Sequence, residues 1–308
     1  MLTEILSSYR ITRASGRNSV DRQVESTSDI PGIIDLHTHT SHSDGALTPR
    51  ELLEKGKEAG VKLISITDHD SVSGLAEAES CSKEIGIEFV PGIEITSRYG
   101  RYQLHFLGFF FDYYDKTFKS RLDYLRSARL SRARRIIAKL NNIKIPLKFE
   151  SVLERSGVEN SIGRPHIANT MVEEGYAETY DEVFNKYLGI GRPAYEANHP
   201  FPPEEAIGMI SQAGGLSFIA HPSHYVTEDI VRQFQKFGLD GLEVIHPSHS
   251  PEETEWAQRF ADENNLLKCG GSDFHGGLKH DDANLGRYSI EEKWFESMQK
   301  RLGRSLFK

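Results

Sequence analysis

A short apolar segment that ends in two histidines constrains the fold of this 308-residue chain more than any other feature. Ile33, Ile34 and Leu36 lead into His37 and His39, which are separated by one residue. In an extended backbone this spacing puts both imidazoles on the same face of the strand. Two neutral imidazoles on one face favour binding of a divalent metal. Because a single His-x-His segment also occurs by chance in surface loops, the interpretation depends on whether the pattern recurs.

The same order, an apolar run followed by His, Asp or Glu, recurs along the chain and alternates with helical patterns. Predicted strands cover residues 33–36, 61–66, 87–90, 103–109, 216–220, 241–245 and 266–269. Thr48, Pro49 and Glu51 predict a capped helix start between the first two strands. Strands that alternate with helices predict an α/β fold with a mostly parallel sheet or barrel. In such folds functional groups gather beyond the carboxyl ends of the strands.

The strand–helix alternation is interrupted in the middle of the chain. Residues 116–199 show helical periodicity and no strong strand, which predicts an inserted helical lobe between two barrel segments, 32–115 and 200–308. Residues 1–31 lack an apolar core and predict an N-terminal tail. The first helix of the lobe carries nine Lys and Arg residues between 116 and 139. This density fits a solvated helix face and a cationic arm over an anionic substrate about equally well.

The composition excludes several classes of protein. The formal net charge of −8 argues against a general polyanion binder, and we expect no stable binding of nucleic-acid duplexes. The longest apolar runs fall short of the roughly 20 residues of a membrane span. With Cys81 and Cys269 as the only cysteines, we expect a reducing compartment, the cytoplasm, and no disulfide framework. The sequence leaves the oligomeric state open.

A set of imidazoles and carboxylates follows the apolar runs and forms the candidate metal site. It comprises His37, His39, Asp44, His69, Glu94, His105, His221, Asp273 and His275. Nitrogen and oxygen ligands without thiolate suit Mn, Fe or Zn better than Mg or Ca. Nine ligands exceed the roughly four to six that one ion takes, so the set predicts two or three ions with a shared carboxylate.

In order along the chain, the motifs resemble those of the PHP family, named for polymerase and histidinol phosphatase. They are His37-Thr38-His39, Ser43-Asp44-Gly45, Thr67-Asp68-His69-Asp70, Pro91-Gly92-Ile93-Glu94, Ala220-His221-Pro222 and Gly271-Ser272-Asp273-Phe274-His275. The resemblance implies a distorted seven-stranded (β/α) barrel, TIM-like, with up to three divalent ions, of which Mn²⁺ is the most expected and Zn²⁺ or Fe²⁺ the alternatives. It implies one ion held by His37, His39, Glu94 and Asp273, a second by Asp44, His69 and His275, and a third by Glu94, His105 and His221.

A segment of the predicted lobe narrows the resemblance to one branch of the PHP family. Gly163-Arg164-Pro165-His166-Ile167-Ala168 is similar to the branch that hydrolyses small nucleotide phosphates, including nucleoside 3′,5′-bisphosphate phosphatases and 5′–3′ oligoribonucleases. By that likeness Arg164 and His166 contact the substrate phosphate, and a guanidinium matches phosphate oxygens in bidentate fashion. His224 and His246 are further candidates for substrate contact. His224 stands where relatives often have arginine.

The resemblance implies a phosphoesterase that cleaves phosphomonoesters of a small nucleotide or short RNA with a metal-bridging hydroxide as nucleophile. Asp44, His69, Glu94 and Asp273 are the candidate catalytic residues. Two alternatives share the metal site: a histidinol-phosphate phosphatase and a non-catalytic, metal-stabilised regulatory module. The basic lobe favours a nucleotide over a small amino alcohol phosphate, and the filled ligand positions favour catalysis over a regulatory role.

Overall fold

The computed structural model describes residues 32–156, 161–223 and 225–303. The predicted N-terminal tail, 1–31, and the candidate contact His224 lie outside the described residues. Among the described helices, none combines the length and apolarity that crossing a bilayer requires.

Seven strands form one sheet in the order β1 to β7, so that neighbours in sequence are neighbours in space. The strands are β1 Ile33–Asp35, β2 Val61–Ile66, β3 Glu88–Tyr99, β4 Tyr102–Phe109, β5 Leu216–Ile219, β6 Gly241–Ile245 and β7 Leu267–Gly270. β4 runs antiparallel to both β3 and β5, and the other four neighbouring pairs are parallel. The predicted mostly parallel α/β sheet is therefore confirmed.

Single backbone contacts link the two edges of the sheet just beyond β1 and β7. The Leu36 amide donates to the Gly270 carbonyl oxygen at 3.1 Å, and Thr38 forms an isolated parallel bridge with Phe274. These contacts bring the segment that carries His37 and His39 against the segment that carries Asp273. Closure of the sheet into a continuous barrel stays a prediction.

β3 is longer than the sequence pattern predicts. The strand continues past its predicted end at residue 90 and changes partner there, because residues up to Pro91 pair with β2 and residues from Gly92 pair with β4. Glu94 therefore lies inside a strand and not beyond its end. An isolated bridge between His69 and Glu94 puts this carboxylate beside the segment that follows β2.

Helices cover the outer surface and the segment between β4 and β5. They are α1 Pro49–Glu58, α2 Leu75–Ile85, α3 Lys116–Asn142, α4 Phe149–Ser156, α5 Arg164–Glu173, α6 Tyr180–Val183, a π-helical turn Phe184–Leu188, α7 Pro203–Gln212, α8 Glu228–Lys236, α9 Pro251–Glu263 and α10 Glu292–Leu302. The predicted capping box of α1 is present: Thr48 and Glu51 exchange hydrogen bonds at its first turn.

Apolar side chains form three buried clusters that follow the strand and helix periods. Successive residues of β2 point to opposite faces of the sheet, so that Leu63 packs in one cluster and Ile64 in another. A third cluster, which includes Ile136, Leu140 and Met171, lies among α3, α4, α5, α6 and the π-helical turn. The helical segment thus has its own apolar core, while the first half of α3 packs through Phe118 against the cluster of the sheet.

Candidate metal centre

The carboxylate of Glu94 lies at the centre of the histidine cluster. Its Oε2 is 3.3 Å from His37 Nε2, 3.2 Å from His39 Nε2 and 3.3 Å from His69 Nδ1. Only 1% of the Glu94 side chain is exposed. An isolated buried carboxylate is unfavourable, and three imidazole nitrogens against one oxygen are what makes its burial tolerable.

The other oxygen of Glu94 faces the antiparallel part of the sheet. Oε1 is 2.6 Å from His105 Nδ1, which comes from β4, and 3.0 Å from His221 Nε2, which follows β5. Glu94 therefore contacts histidines from both halves of the sheet, with a different oxygen toward each half.

Asp273 adds a second carboxylate on the opposite side of the first two histidines. Its Oδ1 is 3.3 Å from His37 Nε2 and 3.1 Å from His39 Nε2. Its Oδ2 lies 3.4 Å from His246 Nε2. Two imidazoles and two carboxylates thus converge on one small volume, and in this group the ligand atoms of His37, His39, Glu94 and Asp273 all lie within 4.8 Å of one another.

Asp44 adds a third carboxylate to the cluster and lies next to Lys279, which no motif in the sequence indicates. Its Oδ1 is 3.4 Å from His275 Nε2, and its Oδ2 is 3.9 Å from His69 Nε2. Lys279 places its Nζ 3.2 Å from Asp44 Oδ2 and 2.6 Å from His275 Nε2. An ammonium group here neutralises part of the negative charge of the cluster.

Histidine ring nitrogens without hydrogen-bond partners indicate whether this cluster can bind metal ions. Three of the buried polar atoms without a hydrogen-bond partner among the described residues belong to ligands of this cluster: His39 Nδ1 and Nε2, and His69 Nδ1. Buried polar atoms without partners are rare in folded proteins and point to an ion or water. The donor set is also right for Mn, Fe or Zn, since it combines imidazole with carboxylate. The residues therefore fit divalent metal.

The charge balance of the cluster follows from the same contacts. Burial raises the pKa of Glu94, but His69, His105 and His37 outweigh burial and hold that pKa well below its usual range. Burial lowers the pKa of His39, yet the carboxylates of Asp273 and Glu94 raise it to about 9. An imidazole that takes up a proton this readily beside two carboxylates would bind a cation in place of that proton.

Supporting residues hold the cluster from behind. Glu243, fully buried in β6, accepts from His37 Nδ1 at 2.8 Å and from the His221 amide at 2.5 Å. Asp68 accepts from the Thr40 amide at 2.8 Å and from Ser43 Oγ at 2.6 Å, which orders the loop that carries Asp44.

A cleft of about 200 Å³ opens beside the cluster and is lined by three arginines of the helical segment, Arg129, Arg132 and Arg164. His69, His105 and Asp44 line the same cleft, which we call the reaction cleft. Burial together with the positive charges of Arg164 and Arg129 lowers the pKa of Arg132. Three guanidinium groups that repel one another beside a metal cluster favour an anionic ligand.

The predicted substrate contacts occupy different environments. Arg164 lines the reaction cleft, with its guanidinium carbon 5.5 Å from the centre of the Phe184 ring. His166 is 9% exposed, and its Nδ1 accepts from the Gly163 amide at 3.0 Å, so it caps α5. His246 lies against Asp273 inside the metal cluster. The predicted phosphate contact of His166 stays a prediction.

Several residues of the site escaped the sequence pattern. Glu243 had a signal, because a carboxylate inside the apolar run Leu242–Ile245 requires a buried partner. Arg129 and Arg132 are two of the nine cations of α3. The sequence does not show which of the nine reach the cleft, because that depends on which face of the helix meets the sheet. Lys279 reaches the cluster from the loop between β7 and α10, and no motif in the sequence indicates it.

Comparison with known proteins agrees with this geometry. The family model described as the PHP domain matches residues 35–192, about half of the chain. The chain belongs to the PHP domain family. A 3′,5′-nucleoside bisphosphate phosphatase of Chromobacterium violaceum is 36% identical over 247 residues, which cover 79% of this chain and 87% of the relative.

Two further relatives extend the PHP match across most of the chain. A 5′-3′ exoribonuclease of Haemophilus influenzae is 32% identical, covering 78% of this chain and 89% of the relative. A solved structure from Bifidobacterium adolescentis, assigned as a metal-dependent phosphoesterase, superposes with a TM-score of 0.80 at 32% identity. It covers 87% of this chain and 95% of that protein. This PHP protein is therefore a metal-dependent phosphoesterase, and the predicted family and enzyme class are confirmed.

Proposed function

We propose that this protein hydrolyses phosphomonoesters of small nucleotides, with nucleoside 3′,5′-bisphosphates, AMP-like nucleotides and short 5′-phosphorylated RNA as the substrate class. One observation carries the proposal: the histidine–carboxylate cluster and the three arginines face the same reaction cleft. A metal cluster alone would suit many hydrolases, and the arginines add recognition of an anion. The named activities of the bacterial relatives support the nucleotide class.

The ligands of the proposed ions follow the contacts within the cluster. We assign one ion to His37, His39, Glu94 and Asp273, a second to Asp44, His69 and His275, and a third to Glu94, His105 and His221. Distances between ligand atoms support the first and the third set. In the second set, Asp44 and His275 group with His39, whereas His69 groups with Glu94 and His105. Bound divalent ions would supply a Lewis acid for the phosphoryl group and lower the pKa of water from 15.7 to about 7. Of the ions that suit such ligands, we propose Mn²⁺ first.

The chain's own residues bind and orient the phosphate. Arg164 and Arg132 are buried enough to bind phosphoryl oxygens in a low dielectric, where electrostatic stabilisation is strongest. In the reaction a water oxygen attacks phosphorus, the phosphorus–oxygen ester bond breaks, and the leaving nucleoside oxygen takes up a proton. The segment 116–199 thus becomes the substrate-binding lobe, because Arg129, Arg132, Arg164 and Tyr180 all reach the cleft from it.

His246 is in position to hold a proton at a defined atom. Its Nδ1 accepts from the Ser248 amide at 3.1 Å, so the neutral ring carries its proton on Nε2. Burial lowers the pKa of His246, which favours this neutral form. Nε2 faces Asp273 Oδ2 at 3.4 Å, and the proton is therefore available beside the metal cluster.

A phosphate-release screen tests the proposal. Protein stripped with chelator and then supplied with Mn²⁺ is compared on 3′-phosphoadenosine 5′-phosphate, AMP, a 5′-phosphorylated dinucleotide and histidinol phosphate. We expect release from the nucleotides only after Mn²⁺ is added, and a clear preference for them over histidinol phosphate. Full turnover by the metal-free protein would overturn the metal-dependent mechanism. A preference for histidinol phosphate would replace the nucleotide class with the alternative we considered.

A further inference from the structure

A second cleft, of about 270 Å³, adjoins the reaction cleft. It is bounded by the loop that follows β2 and by the first half of α3. Ser161 lines both clefts, and Asp70, which is ion-paired with Arg129, stands at the boundary between them. We call this second space the outer cleft. A molecule that extends out of the reaction cleft past Ser161 would enter it.

An exposed aromatic side chain forms part of the wall of the outer cleft. Tyr114 is 55% exposed, which is unusual for so large a side chain. Its ring centre lies 4.4 Å from that of Tyr113, which is buried and holds it in place. Lys119 Nζ sits 5.1 Å from the centre of the Tyr114 ring. A tyrosine ring at the surface with a cation beside it is a stacking platform of the kind that binds unpaired nucleobases.

Cations of α3 connect the two clefts. Lys119, Arg126, Arg129 and Arg132 are spaced by seven, three and three residues, which keeps them on one side of the helix. Lys119 and Arg126 line the outer cleft, and Arg129 and Arg132 line the reaction cleft. In a chain with a net charge of −8, this stripe is a local concentration of positive charge that leads to the metal cluster.

The carboxylates next to the cations of α3 do not prevent those cations from binding phosphate. Asp123 pairs with Arg126 at 2.9 Å, but 66% of the Asp123 side chain is exposed. Exposed pairs of this kind contribute little, so the pair with Asp123 does not oppose binding of a phosphodiester. The cation–ring contact of Lys119 is also at the surface, and a base that stacks on Tyr114 would release Lys119 toward the backbone.

We propose that the outer cleft binds the adjoining nucleotides of a single-stranded oligonucleotide whose terminal phosphate lies in the reaction cleft. The base stacks on Tyr114, and the phosphodiester backbone follows Lys119 and Arg126. This inference rests on the proposed function, because the metal cluster must act on the terminal nucleotide. It accounts for the basic run of α3 as a cationic arm.

Kinetics on substrates of two lengths test the subsite. For each variant we compare the ratio of kcat/KM on a 5′-phosphorylated RNA tetranucleotide to that on AMP, with Mn²⁺ supplied. Tyr114→Ala should lower this ratio about tenfold, the size of one lost base–aromatic contact. Tyr124→Ala is the matched control, because Tyr124 is a tyrosine of similar exposure, 56%, that lies in α3 and does not line the outer cleft. A ratio equal to that of the wild type in Tyr114→Ala, or an equal loss in Tyr124→Ala, would overturn the proposal.

Direct binding separates this inference from the proposed function. Anisotropy of a fluorescent 5′-phosphorylated RNA tetranucleotide on metal-depleted protein needs no turnover. Lys119→Gln should reduce the slope of log K against log salt by about 0.7, the value for one phosphate contact of a single strand. Lys116→Gln, an exposed cation outside the cleft, should leave the slope unchanged. Equal slopes for Lys119→Gln and the wild type would overturn the subsite, even if every nucleotide is hydrolysed. Loss of binding in Tyr114→Ala would support the subsite, even if no nucleotide is hydrolysed. Circular dichroism establishes that each variant is folded.

Discussion

Glu243 Oε1 lies 2.8 Å from His37 Nδ1, and both side chains are fully buried. The carboxylate of Glu243 accepts, so the proton of the neutral imidazole is fixed on Nδ1 and the lone pair of Nε2 points at Glu94 and Asp273. A carboxylate behind a histidine in this way fixes its tautomer and raises its basicity as a metal ligand.

Glu243→Gln should therefore weaken metal binding without removing a ligand. The amide is nearly isosteric but lacks the charge, and loss of such a partner typically lowers metal affinity by about 10- to 100-fold. Titration with Mn²⁺ by calorimetry, together with metal content after dialysis, measures the change. Glu255→Gln, an exposed position in α9, is the control for loss of one negative charge. Unaltered Mn²⁺ affinity in Glu243→Gln would remove this residue from the metal centre.

Gly271 gives a second test, based on shape instead of charge. A Cβ at this position would lie 2.3 Å from the His37 amide nitrogen and 2.6 Å from Asp35 Oδ1. Gly271→Ala should displace His37 and lower both metal content and activity, although residue 271 has no side chain to contact substrate. Gly208→Ala in α7 is the control, since its new methyl group meets only Gln212 Nε2 at 3.9 Å. That variant should be as active as the wild type and more stable by up to about 1 kcal/mol. Full metal content in Gly271→Ala would show that the segment can shift without cost.

These two residues also show what a sequence pattern can and cannot provide. The apolar runs and the histidines that follow them predicted the α/β sheet, because burial and side-chain period are local properties. Glu243 and Gly271 act across the sheet on His37, and no local pattern records a contact over 206 residues. β3 was predicted too short for a similar reason. Pro91-Gly92 indicates the end of a strand, but the strand continues because residues from Gly92 pair with β4.

The ion pair of Asp70 and Arg129 joins α3 to the segment that follows β2, with Arg129 Nε 2.6 Å from Asp70 Oδ2. Only 2% of the Asp70 side chain is exposed. Arg129→Met would leave a buried carboxylate without its cation and should destabilise the protein by about 3 kcal/mol. Adding Asp70→Asn should recover part of that loss, because the charge is then removed. Denaturant unfolding of the two single variants and the double variant measures the coupling.

An exposed pair on the same helix is the control for this cycle. Arg126→Met breaks a pair whose side chains are 40% and 66% exposed and should cost less than about 1 kcal/mol. If Arg129→Met were no more damaging than Arg126→Met, the pair of Asp70 would not anchor the helix.

Arg164 should matter for substrate and not for metal. No carboxylate forms an ion pair with Arg164 among the described residues, and its guanidinium faces the reaction cleft above Phe184. Arg164→Ala should lower kcat/KM on a nucleotide by about 10²-fold, typical for one lost transition-state contact, while bound Mn²⁺ stays unchanged. Arg155→Ala, which breaks a surface pair with Glu173 on the same lobe, is the control. Unchanged kcat and KM in Arg164→Ala would exclude it from the site.

Metal binding should be visible in stability as well as in rate. The cluster concentrates the carboxylates of Asp44, Glu94 and Asp273 around several histidines, and ring nitrogens of His39 and His69 lack hydrogen-bond partners. Bound cations should therefore stabilise the folded state selectively. At a free Mn²⁺ concentration 100 times its Kd, linkage gives about 2.7 kcal/mol. With an unfolding entropy of about 2.1 cal/mol/K per residue, that corresponds to a rise in Tm of roughly 4 °C over the chelated protein. Scanning calorimetry measures the rise in Tm, and Asp273→Asn should reduce that rise because one ion binds more weakly. Equal melting temperatures with and without Mn²⁺ would mean that the cluster does not bind this ion.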